Sequence, residues 1–70
     1  MDEMVKIWVK ALYNEEIDSA TQAISNERLW LKGSTTAKEQ NSHMENIRRY
    51  EEYIETLEGL KENFILKNGG

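Results

Sequence analysis

Apolar residues recur along the first half of the chain at the period of an α-helix. When residues are placed at about 100° intervals, the apolar positions gather on one face and most charged residues on the other. The pattern predicts a long amphipathic helix whose apolar face is buried. This face comprises Val5, Val9, Leu12, Tyr13, Ala20, Ala23, Ile24 and Leu31.

The second half of the chain shows the alternating four-three spacing of a coiled-coil seam. Tyr53 and Leu60 form another apolar strip beside this seam, so the apolar arc is wider than one partner helix would cover. We therefore expect more than two helices in the core. The seam comprises His43, Ile47, Tyr50, Ile54, Leu57, Lys61 and Phe64.

A turn separates the two segments. Lys32 and Gly33 are typical of a helix end, where the glycine is free to take the left-handed conformation. Thr36 and Glu39 have the capping-box spacing of a helix start. A connection of about three to five residues makes the helices antiparallel neighbours. The predicted fold is all-α, a single antiparallel two-helix hairpin that assembles into an oligomeric bundle, with helices over residues 3–32 and 37–66, a turn over 33–36 and a disordered tail over 67–70.

Residues 4–13 also fit a second pattern. Apolar and other residues alternate from Val5 to Lys10 as in a β-strand, and Asn14 would then cap a helix beginning at Glu15. A lone strand would leave its backbone groups unpaired unless a second subunit supplied a partner. The helix is therefore the favoured prediction, and the strand is the alternative.

Composition narrows the class of protein. A chain of 70 residues without cysteine has a thin core and no disulfide to support it, so we expect a homo-oligomer, a dimer or larger. A net charge of −4 disfavours binding to duplex nucleic acid. The longest apolar-leaning run, residues 4–13, is too short to span a bilayer, and no leader precedes it. We expect a cytoplasmic protein that does not contact membranes.

One polar pair is predicted on the inward faces of the two helices. In a hairpin that turns near Ser34, Glu27 and His43 lie opposite each other. Because an isolated buried charge is costly, a hydrogen bond between them is the simplest arrangement. A sharper alternative adds Glu39, one turn before His43, and places a divalent metal among the three side chains. We favour the structural pair and predict no metal and no cofactor.

Two further polar residues lie on inward faces. Glu16 and Lys61 are offset by roughly 10 Å of helix rise, too far for an easy pair within one chain. We expect Lys61 to extend outward beside Phe64, with a contact across a subunit interface as the alternative.

Candidate partner-binding residues cluster beside the turn. Asn26, Arg28 and Trp30 combine hydrogen-bonding groups with residue types that often anchor interfaces. Trp30 either closes the turn end of the core, which we favour, or binds a partner. Trp8 lies at the edge of the apolar stripe and needs a cover from a second subunit or a partner. We find no cysteine nucleophile, no serine in a strained glycine turn, no glycine-rich phosphate loop and no second histidine, and we predict no enzyme activity.

Four short strings resemble small hypothetical helical proteins carried by phages and prophages of Gram-positive bacteria. They are ISNERLW at residues 24–30, GS at 33–34, HMENI at 43–47 and YIETL at 53–57, within a resemblance that covers residues 24–60. It implies a phage context and no particular activity. WLKG at residues 30–33 is also similar to the Trp-x-Gly turn of secreted helical hairpins, with one residue more between Trp and Gly.

These observations favour a non-enzymatic protein-interaction module. In the phage context that the resemblance implies, we expect its partner to be a host or defence protein that it inhibits. An alternative is an oligomeric protein that sequesters a small anionic ligand such as a nucleotide at its subunit interfaces. The residues that would line them are Trp30, Arg28, Arg48, Arg49 and His43. A third hypothesis is a phage accessory of DNA replication or packaging, which the acidic charge balance disfavours.

Overall fold

The protein is an antiparallel hairpin of two long helices. The computed structural model describes residues 2–68. Helix α1 spans Glu3–Gly33 and α2 spans Ala37–Lys67, each with 31 residues. They pack side by side in a rod whose Cα extents are 52 × 16 × 10 Å. The predicted all-α hairpin is confirmed.

Both helices begin with a side-chain cap, which satisfies backbone N–H groups that have no partner within the helix. Asp2 Oδ1 accepts from the Met4 N–H at 3.1 Å. Thr36 Oγ1 accepts from the Glu39 N–H at 3.2 Å, as the capping-box pattern predicts. The Glu39 carboxylate accepts from the Thr35 N–H at 3.4 Å, one residue before the cap.

Gly33 does not take the left-handed conformation at the turn. Gly33 is the last residue of α1, and the chain leaves the helix at Ser34 with φ −72° and ψ 135°. Ser34 itself satisfies the end of the helix, because its N–H donates to the Leu31 carbonyl at 3.2 Å and its hydroxyl donates to the Trp30 carbonyl at 2.9 Å. A serine with an extended backbone thus replaces the expected glycine cap.

The disordered tail predicted over residues 67–70 overlaps the last residue of α2. Lys67 belongs to α2, and the Asn68 N–H donates to the Phe64 carbonyl at 3.1 Å, which closes the helix. Gly69 and Gly70, the rest of that tail, lie outside the described residues.

Residues 4–13 are helical, so the favoured prediction is confirmed over the strand. A helix satisfies its backbone hydrogen bonds within one segment, whereas a strand here would have needed a second one. Within residues 2–68, neither helix combines the length and the hydropathy that a transmembrane span requires.

The core is thin and lies between the middles of the two helices. Its buried residues are Ala20, Ile24 and Leu57, together with the charged Glu27. The predicted buried stripe is wrong at Val5 and Leu12, which are 42% and 61% exposed. Both lie at one edge of the apolar arc of α1, beyond the region that the single neighbouring helix covers. The consequence is an apolar surface along the hairpin.

Candidate functional site at the turn end

The best-defined polar contact joins the two helices near the turn. Glu27 lies in the last two turns of α1 and His43 in the second turn of α2, and Glu27 Oε2 is 2.6 Å from His43 Nδ1. Their side chains are only 10% and 24% exposed. An unpaired carboxylate at this depth would be costly, so each group satisfies the other. The predicted buried polar pair is confirmed.

Trp30 stands beside this pair. The centroids of its ring and of the His43 imidazole are 6.1 Å apart and tilted by 42°. Trp30 is nevertheless 57% exposed, so the favoured prediction that it closes the turn end of the core is wrong. Trp30 lies roughly 120° around α1 from the buried Ile24, so its ring stays at the edge of the interface with α2. The indole is therefore exposed to solvent on one side and contacts the His43 imidazole, which Glu27 holds in place.

Of the other two residues predicted near the turn, Asn26 shares a side of α1 with Trp30 and Arg28 does not. Asn26 lies one turn before Trp30 on the same side of α1 and accepts from Gln22 Nε2 at 3.4 Å. Arg28 is exposed on roughly the opposite side, because two residues at about 100° each separate it from Trp30. Within residues 2–68, its guanidinium forms no ion pair. Arg28 and Trp30 therefore cannot contact the same surface of a partner side by side.

Leu29 is a neighbour that the sequence analysis missed. It is 65% exposed beside Trp30. The sequence does contain a signal for this exposure, because Leu29 does not belong to the periodic apolar face of α1.

Arg48 and Arg49 engage carboxylates on their own helix. Arg48 lies 2.7 Å from Glu45 and 3.5 Å from Glu52, and Arg49 lies 3.2 Å from Glu45. The hydrogen bond from Arg48 holds the pKa of Glu45 below its usual range, and the same contact raises the pKa of Arg48. Within one chain, these arginines therefore compensate the negative charge of neighbouring carboxylates.

The structure does not bring Glu39 together with Glu27 and His43, as the alternative metal site would require. The carboxylate of Glu39 turns to the Thr35 N–H in the cap of α2. Among the described residues, no group of three or more His, Cys, Asp or Glu side chains is placed to hold a metal ion.

Two contacts nearer the chain termini also differ from expectation. Lys61 Nζ donates to Asn14 Oδ1 at 2.5 Å, so its amine crosses to α1 instead of extending outward. The Tyr53 hydroxyl donates to Glu16 Oε2 at 3.0 Å, and this bond raises the pKa of Tyr53. Glu16 and Lys61 thus have separate partners within one chain.

These features define a helical hairpin with an exposed tryptophan beside a fixed carboxylate–imidazole pair. Comparison of the chain with protein-family models, with curated proteins and with solved structures finds no match.

Proposed function

We propose that this protein is a non-enzymatic protein-interaction module whose turn end contacts a protein partner. The observation that carries the proposal is the exposed Trp30 ring beside His43. Tryptophan is among the residue types that most often dominate binding energy in interfaces. Because Glu27 fixes His43, the surface beneath the indole is already ordered before a partner arrives, which lowers the entropic cost of binding.

The surface around Trp30 supports contact with a protein. Leu29 adds a second large exposed apolar side chain, and Asn26 adds an amide on the side of α1 that carries Trp30. An apolar centre with polar groups at its margin is the usual composition of a protein interface. The resemblance to phage proteins supports a host or defence protein as the partner, with the hairpin acting as its inhibitor by occlusion.

Capture from a lysate of a Gram-positive bacterium, with quantification by mass spectrometry, tests the proposal. The immobilised chains are the wild type, Trp30→Ala and Trp8→Ala. Trp8 is the matched control, since it is the same residue type, is 69% exposed and lies at the other end of α1. Because Trp30 is exposed, its loss leaves no cavity in the core, and circular dichroism should show unchanged helix content.

The expected result is a protein enriched by the wild type and by Trp8→Ala and depleted at least about tenfold with Trp30→Ala, equivalent to roughly 1.4 kcal/mol. If a captured protein is lost only with Trp8→Ala, the functional surface lies at the Trp8 end of the hairpin and the proposal is wrong. Arg28→Ala reports on the far side of α1, and we expect a smaller loss from it than from Trp30→Ala.

A further inference from the structure

A second surface lies toward the chain termini, which we call the open end of the hairpin. The bond between the Tyr53 hydroxyl and Glu16 places these two residues on one face of the molecule. Leu12 lies one turn from Glu16 toward the open end, and Leu60 lies two turns from Tyr53 in the same direction, because the helices are antiparallel. Val5 follows two turns beyond Leu12. We define Val5, Leu12, Tyr53 and Leu60 as the open-end face.

The open-end face is apolar and uncovered. Its members are 42%, 61%, 44% and 48% exposed in chain order. Trp8, one turn from Leu12 and 69% exposed, borders the face. Monomeric soluble proteins seldom leave contiguous apolar surface of this kind on both of two neighbouring helices. The face therefore needs an occupant.

We propose that a second copy of this chain occupies the open-end face and packs its own open-end face there, so that two hairpins form a four-helix bundle. The thin core is the first argument. Within residues 2–68 the hairpin buries only Ala20, Ile24 and Leu57 among apolar residues, and no side chain is completely enclosed. A chain of this length needs more burial to hold a fold, and a second copy is present wherever the chain is.

The available area is the second argument. A stable interface removes about 800 Å² from each partner. That is about 15% of the 5392 Å² that the chain exposes. The four large apolar side chains of the face and Trp8 form the apolar centre of such an area, and the polar residues around them would supply the rest. The same face on both copies satisfies the symmetry of a two-fold dimer, in which one patch meets itself.

The distribution of charge is the third argument. Copies of an acidic chain repel each other more when many like charges meet at their contact surface. None of the four members of the open-end face is charged; Glu16, on the same face, accepts a hydrogen bond from Tyr53, and Glu15 lies beside Trp8 and Leu12 at the margin. The exposed carboxylates of α2 follow a four-three-four spacing on roughly the opposite side of that helix, where they would point away from the second copy. They are Glu51, Glu55, Glu58 and Glu62.

Light scattering coupled to size exclusion, at tens of micromolar, tests the proposal with Leu12→Lys. Leu29→Lys is the matched control, because Leu29 is the same residue type on the same helix and is 65% exposed, against 61% for Leu12. We expect at least twice the chain mass for the wild type and for Leu29→Lys, and once the chain mass for Leu12→Lys. A monomeric wild type, or an unchanged mass for Leu12→Lys, would overturn the proposal.

If Leu12→Lys does not fold, the wild type decides the question by its thermal midpoint. A midpoint that rises over a hundredfold increase in protein concentration supports self-association, whereas a constant midpoint refutes it. This surface is separate from the turn end, so the two proposals fail separately. Partner capture by the Trp30 variant tests the turn-end proposal, at an unchanged oligomer mass. The oligomer mass of Leu12→Lys tests the open-end face.

Discussion

Glu27 Oε2 and His43 Nδ1 lie 2.6 Å apart across the interface between α1 and α2. The pair is the most buried polar contact between the two helices among the described residues. It fixes the register of the two helices near the turn, because a shift by one residue would leave a buried polar side chain without its hydrogen-bond partner. Its position also orders the imidazole beneath the exposed Trp30 ring.

Coupling between these two residues is the first prediction. Glu27→Ala or His43→Ala alone should each lower the free energy of unfolding by about 1–3 kcal/mol, because each strands the other group at depth. The double variant should cost less than the sum of the two. Urea denaturation measures all three, and Glu62→Ala combined with His43→Ala is the additive control. Additive costs for Glu27 and His43 would show that they do not interact.

The second prediction concerns alkaline pH. The hydrogen bond to Glu16 raises the pKa of Tyr53, so folding favours the protonated phenol. Its contribution to stability is fully present below the unfolded pKa of about 10 and is lost as pH rises through the folded pKa. The stability advantage of the wild type over Tyr53→Phe should therefore shrink above about pH 10.

Denaturant titrations at several pH values measure this advantage. Glu16→Ala is the reference background, since without the acceptor Tyr53→Phe should show little dependence on pH in the same range. An advantage of the wild type that stays constant to high pH would contradict the assigned role of Glu16.

A glycine within α2 gives the third prediction. Gly59 lies inside the helix, and a Cβ added there would meet no atom within 4 Å. Gly59→Ala should raise the free energy of unfolding by about 0.5–1 kcal/mol, because alanine loses less backbone entropy in a helix. Gly33→Ala is the matched control at the last residue of α1, where a smaller gain is expected. Thermal melts compare the variants, and destabilisation by Gly59→Ala would contradict this prediction.

The candidate site was partly predictable from the chain. Once the turn is placed near Ser34, antiparallel packing brings Glu27 opposite His43, and the structure confirms that contact. The exposure of Trp30 was not predictable, because periodicity gives the direction of a side chain and not the point at which the neighbouring helix stops covering it. The partners of Glu16 and Lys61 required the real offset between the helices, which side-chain packing sets.

The sequence by itself determined the two helices, the turn and the helix starts, because these depend on spacing along the chain and on caps within three residues, as at Thr36 and Glu39. Tertiary structure alone decided which part of the broad apolar arc is buried. One neighbouring helix covers only a section of that arc, and the rotation of α1 about its axis selects the section around Ala20 and Ile24. Val5 and Leu12 fall outside it, which left them exposed on the open-end face.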